Sequence, residues 1–145
     1  MTTQPIEVLL VEDSPADAEL TIHALRRNNL ATRILHLQDG AEALEYLLGK
    51  GRYAGRDTMQ TPKVVLLDLK LPRVDGLEVL RQVRANERTR FQPVVVLTSS
   101  AEERDMVESY RLGCNSYVRK PVDFDEFVGA ARQLGLYWLL LNRCP

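Results

Sequence analysis

Residues 64–72 read Val-Val-Leu-Leu-Asp-Leu-Lys-Leu-Pro, a short apolar run that ends in a charged residue. Four consecutive branched aliphatic residues are typical of a strand that is buried on both faces, as in a parallel sheet. Asp68 follows this run directly and precedes Leu69, so its charge lies where an ionised group is costly without a partner. The stretch therefore predicts a central strand with a functional carboxylate at its carboxyl end.

The same alternation of apolar runs and helical periods extends in both directions from this strand. Strands are predicted at 6–11, 32–37, 64–67, 93–97 and 116–118, and helices at 17–28, 41–48, 77–84, 102–111 and 124–134. Five strand–helix units predict an α/β fold of the flavodoxin type, a (βα)₅ doubly wound five-stranded parallel sheet. An eight-unit barrel is excluded, because it needs about 250 residues.

Length and composition limit the class of protein. The chain has 145 residues, of which 45% are hydrophobic and 27% charged, and its net charge is −1. These values predict one domain spanning 1–145, with no output domain, and exclude a disordered chain. The near-neutral charge does not favour a nucleic-acid partner, and the longest apolar run, 136–141, is far shorter than the roughly 20 residues of a membrane span. With no secretory signal visible, we expect a cytoplasmic protein.

Polar residues that could do chemistry follow the predicted strands at the edge where such folds bind ligands. They are Glu12 and Asp13 after the first strand, Asp68 after the third, Thr98 at the end of the fourth and Lys120 after the fifth. Taken singly, most have a structural explanation, since Thr98 or Ser99 could cap a helix and Ser14 could begin one. Together, these residues are harder to explain by structural roles alone.

The combination favours phosphoryl transfer to an aspartate. Carboxylates on adjacent strands repel each other, which raises a pKa or requires a cation. Oxygen ligands without nearby histidine or cysteine suit Mg²⁺. Lys120 and Thr98 could bind a phosphate that shares this ion, and a carboxylate beside them, Asp68, is a suitable phosphoryl acceptor.

These motifs resemble the receiver domain of two-component response regulators. The matching stretches, in order, are 11–14, 66–72 with Asp75-Gly76, 97–99 and 117–121. The resemblance implies that Asp68 is the phosphoacceptor and receives its phosphoryl group from a sensor histidine kinase. It further implies that Mg²⁺ is held by Glu12, Asp13, Asp68 and the backbone carbonyl of Lys70. Glu12 replaces the commoner aspartate and is one methylene longer, so its metal contact is expected to run through water.

The resemblance also assigns the remaining site residues. Thr98 and Lys120 would bind the phosphoryl oxygens, Thr98 and Tyr117 would form a conformational switch, and the Lys120–Pro121 bond would be cis, against a base rate of about 5–6% for such bonds. The protein is not expected to be an enzyme. Magnesium-dependent self-phosphorylation from phosphodonors and autodephosphorylation are expected, without turnover of an independent substrate.

Two segments narrow the resemblance to the single-domain regulators of bacterial phytochromes. One is the 14-residue loop 49–62, long enough to be functional or disordered. The other is the C-terminal extension 136–141, in which every residue is apolar. A helix that is apolar all round must be covered on all sides, which predicts a homodimer through Tyr137, Trp138, Leu140 and Leu141. The alternative is a tail that folds back over its own domain. The implied partners are a phytochrome-type kinase and an unknown downstream protein.

Three other functions stay open on sequence alone. A flavin-binding electron carrier has the same fold, although Glu12 and Asp13 would repel its phosphate. A magnesium-dependent aspartyl phosphatase would carry a second aspartate where this chain has Lys70. A receiver-like scaffold that is never phosphorylated is the third.

Several residues are assigned structural roles. His23 and His36 are predicted to be surface or packing residues, and Cys114 a small buried one. A group of arginines near the end of the third helix is predicted to form a solvated face, where cations are favoured: Arg81, Arg84, Arg88 and Arg90. The predicted fourth helix has one apolar face: Met106, Val107 and Tyr110.

Overall fold

The computed structural model describes residues 6–27 and 33–119. Its elements are β1 (Val8–Val11), α1 (Pro15–Arg27), β2 (Ile34–Leu37), α2 (Gly40–Leu48), a 3₁₀ turn (Gly51–Tyr53), β3 (Val64–Leu67), α3 (Gly76–Ala85), β4 (Val94–Thr98), α4 (Glu103–Arg111) and β5 (Ser116–Arg119). All five predicted strands and the first four predicted helices are present. The predicted fifth helix, the Lys120–Pro121 bond and the extension 136–141 lie outside the described residues.

The strands form one parallel sheet in the order β2-β1-β3-β4-β5. This order confirms the predicted flavodoxin-type fold. The chain moves outward from β1 in one direction and from β3 in the other, so the direction of winding reverses between these two neighbours. The carboxyl ends of β1 and β3 therefore border the crevice in which open α/β sheets bind their ligands.

The three central strands β1, β3 and β4 are buried on both faces, which explains their continuous apolar runs. Alternate strand residues point to opposite faces. Leu9 and Val11 of β1 pack in a core with α2 and α3, whereas Val8 and Leu10 pack in a second core with α1. Among the described residues, no helix has the length and apolar character needed to cross a membrane.

The helix α4 departs from the prediction. Its apolar face is exposed, and the residue that it buries is Ser109. The Ser109 hydroxyl donates to the carbonyl of Asp105 at 2.7 Å. Ser109 is thus a small residue with an internally satisfied hydroxyl, whereas the larger apolar residues of α4 are exposed: Met106, Val107 and Tyr110. The Tyr110 hydroxyl still accepts from the Tyr117 amide of β5 at 3.3 Å.

Arg84 also differs from its predicted solvated position. Its guanidinium donates to the carbonyls of Gly113 and Gln92, at 2.9 and 2.7 Å, and to the side-chain oxygen of Asn115 at 2.9 Å. Burial lowers the pKa of Arg84. This side chain joins α3 to the segments that lead into β4 and β5, whereas its neighbour Arg81 is exposed and pairs with a glutamate.

The loop 49–62 is packed against the end of α2. Gly49 ends this helix in the left-handed region, at φ 66°. The Arg56 guanidinium lies 4.2 Å above the ring of Tyr46, and its Nε donates to the carbonyl of Tyr46 at 2.7 Å. The rings of Tyr46 and Tyr53 meet edge to face at 5.1 Å. Arg56 therefore anchors the loop through both its charge and its planar surface.

Candidate functional site

An acidic cluster lies at the carboxyl ends of β1 and β3. The two strands pair in register, with Val11 opposite Leu67, so the residues that follow them meet. One carboxylate oxygen each from Glu12, Asp13 and Asp68 lies within 4.8 Å of the others. Glu12 and Asp68 are buried, at 2% and 6% exposure, and Asp13 is exposed.

This donor set fits a small, hard divalent cation. Three carboxylates so close together carry like charges that a cation would neutralise, and oxygen ligands are those that Mg²⁺ prefers. The exposed Asp13 leaves one side of the cluster open to solvent, which suits an ion that retains several of its waters.

Hydrogen bonds from three groups hold the Oδ1 atom of Asp68. Its Oδ1 accepts from the Leu69 amide and from the Thr98 hydroxyl, both at 2.7 Å, and from the Lys70 amide at a longer 3.4 Å. Thr98 is completely buried at the end of β4, the neighbour of β3. The helix α4 begins only at Glu103, so Thr98 has no capping role. The buried carboxylate and the hydroxyl are thus placed together, as the sequence predicted.

The Asp75-Gly76 pair shapes the loop beneath Asp68. Asp75 caps α3 by accepting from the Glu78 amide at 3.0 Å. The Gly76 amide donates to the Leu69 carbonyl at 2.8 Å. A Cβ at position 76 would lie 2.2 Å from the carbonyl oxygen of Asp68. The glycine is required because the backbone of the helix passes directly against that of Asp68.

Glu12 is fixed through both backbone and side chain. Its amide donates to the Leu37 carbonyl at 3.0 Å, and its Oε2 accepts from the Ser14 amide at 3.2 Å. Its carbonyl accepts from His36 Nε2 at 2.7 Å. Sequence reasoning treated His36 as a surface or packing residue and missed this contact, since no local pattern links positions 12 and 36.

A path of hydrogen bonds connects Asp68 to Tyr117. The Ser100 amide donates to Thr98 Oγ1 at 3.3 Å, and the Tyr117 hydroxyl donates to the Ser100 carbonyl at 3.4 Å. The Ser100 hydroxyl also donates to Asp105 at 2.5 Å. Burial raises the pKa of Tyr117, and the negative charges of Asp105 and Asp68 add to this effect. The sequence analysis did not predict a role for Ser100. The one signal that could have indicated this role is its position two residues after Thr98.

Of the remaining predicted site residues, some lie within the part of the chain that the structure describes and others lie outside it. The Lys70 amide reaches Asp68, while the role of its carbonyl stays a prediction. Lys120 and Pro121 lie outside the described residues, as do the residues of the predicted dimer contact: Tyr137, Trp138, Leu140 and Leu141.

A doubly wound sheet with an acidic pair facing a buried aspartate and a hydroxyl defines a receiver-type domain. The sequence profile of the response regulator receiver domain matches residues 8–132. The chain therefore belongs to the response regulator receiver family, whose members are signalling proteins. This membership gives no support to the flavin-binding alternative.

Individual proteins are similar to this chain over most of its length, and one of them is a bacteriophytochrome response regulator. The probable methanogenesis regulatory protein FilR2 of Methanothrix harundinacea is 44% identical over 97% of this chain and 88% of its own. The response regulator Rcp1 of Synechocystis sp. is 36% identical over 93% of this chain and 90% of its own. The Mn²⁺-bound structure of Rcp1 superposes with a TM-score of 0.86, at 34% identity over 98% and 99% of the two chains. The bacteriophytochrome response regulator RtBRR has a TM-score of 0.77 and 51% identity, over 98% and 85% of the two chains.

Proposed function

We propose that this chain is a single-domain response regulator that accepts a phosphoryl group on Asp68 from a sensor histidine kinase of the phytochrome type. The observation that carries the proposal is the buried Asp68 carboxylate, bonded to Thr98 and clustered with Glu12 and Asp13. The relation to Rcp1 and RtBRR supports the kinase type. A cytoplasmic location belongs to the same proposal, because the kinase must form its phosphohistidine where ATP is available.

The proposed reaction moves one phosphoryl group between two protein side chains. The N–P bond of the kinase phosphohistidine breaks, a bond forms between phosphorus and a carboxylate oxygen of Asp68, and the imidazole leaves. Glu12, Asp13, Asp68 and the Lys70 carbonyl would hold Mg²⁺, which when bound neutralises charge on the phosphoryl oxygens. Lys120 would bind a phosphoryl oxygen. Later attack by water on phosphorus releases inorganic phosphate and restores Asp68.

Acceptor identity is tested with a small phosphodonor, acetyl phosphate, in the presence of Mg²⁺. We expect wild type to gain one acid-stable, hydroxylamine-sensitive phosphoryl group by mass spectrometry. Asp68→Asn should gain none, because an amide cannot form an acyl phosphate. Asp75→Asn is the matched control, since Asp75 caps α3 and is not one of the proposed site residues, and it should be labelled like wild type. Labelling of Asp68→Asn at the wild-type rate would refute the assignment.

We also propose that phosphorylation causes a conformational switch through Thr98 and Tyr117. A phosphoryl group carries about −1.5 to −2 charges, in place of the single charge of the Asp68 carboxylate, and it would take over the Thr98 hydroxyl bond that Asp68 now accepts. Because the Ser100 amide donates to the same hydroxyl, its movement would disturb the Ser100–Tyr117 bond and draw the Tyr117 ring inward. Such couplings are typically about 1–3 kcal/mol.

The switch is tested by following Tyr117 resonances by NMR on phosphorylation. Wild type should show a shift that Thr98→Ala largely loses while still accepting phosphate. An equal response in both proteins would count against the switch.

A homodimer completes the proposal. Tyr137, Trp138, Leu140 and Leu141 belong to an uninterrupted apolar run, and aromatic residues of this kind are favoured interface anchors. Light scattering after size exclusion should find a dimer for the full chain and a monomer for Trp138→Glu or a truncation after Gly135. A monomeric full chain at tens of micromolar, with or without phosphorylation, would contradict it. Kinase profiling with phytochrome and unrelated kinases tests the partner.

A further inference from the structure

We propose that His36 is a positioning residue for the acidic site, because it orients the peptide that joins Glu12 to Asp13. The inference rests on the proposed function, in which these two residues bind the divalent ion. His36 lies on β2 and touches neither Asp13 nor Asp68 in the described contacts. Its Nε2 lies 2.7 Å from the carbonyl oxygen of Glu12.

The position of the His36 contact follows from where the two strands end. β1 and β2 pair through Val11 and Leu37, and the Glu12 amide continues the ladder by donating to the Leu37 carbonyl at 3.0 Å. β2 stops at Leu37. The Glu12 carbonyl therefore lies one step beyond the paired strands, and the imidazole of His36 donates to it.

The bond determines the orientation of two acids at once. A carbonyl oxygen can only accept, so Nε2 of His36 carries the proton, and a separation of 2.7 Å is at the short end for such bonds. The carbonyl of Glu12 and the amide of Asp13 belong to one planar peptide unit. Holding this plane sets the directions in which the chain projects the buried Glu12 and the exposed Asp13 around one ion.

His23 provides a matched control from the same region. Both histidines line one groove of about 410 Å³ between α1 and β2. His23 is exposed on α1, whereas His36 is half-buried and bonded to Glu12. Replacing either one changes the groove, but replacing His36 alone removes the donor to the Glu12–Asp13 peptide.

The test measures Mn²⁺ affinity of the full chain by electron paramagnetic resonance of the free ion. Groups that orient metal ligands typically change affinity by 10–100-fold when they are lost. Because His36 acts through the backbone, we expect His36→Phe to weaken Mn²⁺ binding by about tenfold, at the lower end of that range. His36→Gln keeps an N–H donor at similar reach and should recover most of the affinity. His23→Phe should bind like wild type.

The outcomes separate this inference from the proposed function. Absence of Mn²⁺ binding by wild type, or binding that Asp13→Asn does not weaken, would overturn both. Normal binding by wild type and equal binding by His36→Phe would overturn the role of His36 alone, as would failure of His36→Gln to exceed His36→Phe.

A measurement on the unaltered chain covers the case in which His36→Phe does not fold. In ¹⁵N-labelled wild type, saturation with Mg²⁺ should shift the His36 Nε2–H resonance and leave that of His23 unchanged. A His36 resonance that does not respond to Mg²⁺ would overturn the inference.

Discussion

Replacing Gly76 by alanine should destabilise the protein and displace Asp68, the proposed phosphoacceptor. A Cβ at this position would lie 2.2 Å from the Asp68 carbonyl oxygen and 2.6 Å from the Leu69 Cα. Both neighbours are backbone atoms, which cannot rotate away as a side chain can. Real Cβ atoms essentially never approach within 3.0 Å, so the loop after β3 must move by close to an ångström.

Two opposing effects set the size of the loss. Alanine is favoured over glycine within a helix by about 1 kcal/mol, and Gly76 is the first residue of α3. Overpacking costs about 1–3 kcal/mol, and contact with rigid backbone places this case near the upper value. The net loss is therefore about 2 kcal/mol. With a urea dependence of about 2 kcal/mol per molar, the unfolding midpoint should fall by about 1 M.

Urea unfolding followed by circular dichroism measures this shift, and phosphorylation by acetyl phosphate reports the displacement of Asp68. Gly55→Ala is the matched control, because nothing lies within 4 Å of a Cβ built there. It should leave the midpoint unchanged or raise it slightly, since alanine restricts the unfolded chain. Equal midpoints for the two variants, with normal labelling of both, would refute the steric reasoning.

Three further predictions follow from contacts of the described residues. Arg84→Met should lower stability by about 1–3 kcal/mol in urea unfolding, because it leaves partly buried acceptors unpaired. Arg81→Met removes an exposed ion pair and should leave the unfolding midpoint nearly unchanged; equal losses would contradict the structural role of Arg84. Arg56→Ala should make protease cleavage within the loop 49–62 much faster than Arg52→Ala does, because Arg52→Ala removes ion pairs at the surface. Equal cleavage rates in the two variants would show that Arg56 does not anchor the loop. Burial raises the pKa of Cys114 to about 11, so alkylation of its thiol in the native protein should stay slow from pH 7 to 9 and accelerate only above that range. The stability that the neutral thiol contributes should be lost as the pH rises from about 9 towards 11. Fast alkylation of the native protein at pH 8 would contradict this.

Much of the fold and part of the site follow from local sequence. The residues of β3 were predicted without error, since a strand buried on both faces reads as an uninterrupted apolar run. The meeting of Asp13, Asp68 and Thr98 was also predictable. Parallel strands present their carboxyl ends at one edge of the sheet, so residues that follow different strands become neighbours whatever their separation in the chain.

Other features were decided only by tertiary structure. The hydrophobic period of α4 predicted a helix, but it did not predict which side of that helix would face the sheet. The residue of α4 that is buried is Ser109 and not one of the apolar residues. Arg84 and Arg81 are both arginines in the second half of α3, and the sequence does not distinguish them. Of the two, Arg84 is the one that bonds Asn115, 31 positions further along the chain. His36 bonds Glu12 because β1 and β2 both end at the paired residues Val11 and Leu37, which leaves the Glu12 carbonyl just beyond the ladder. Such contacts depend on distances between segments that are remote in sequence, whereas periodicity reports only how each segment divides its own side chains between core and solvent.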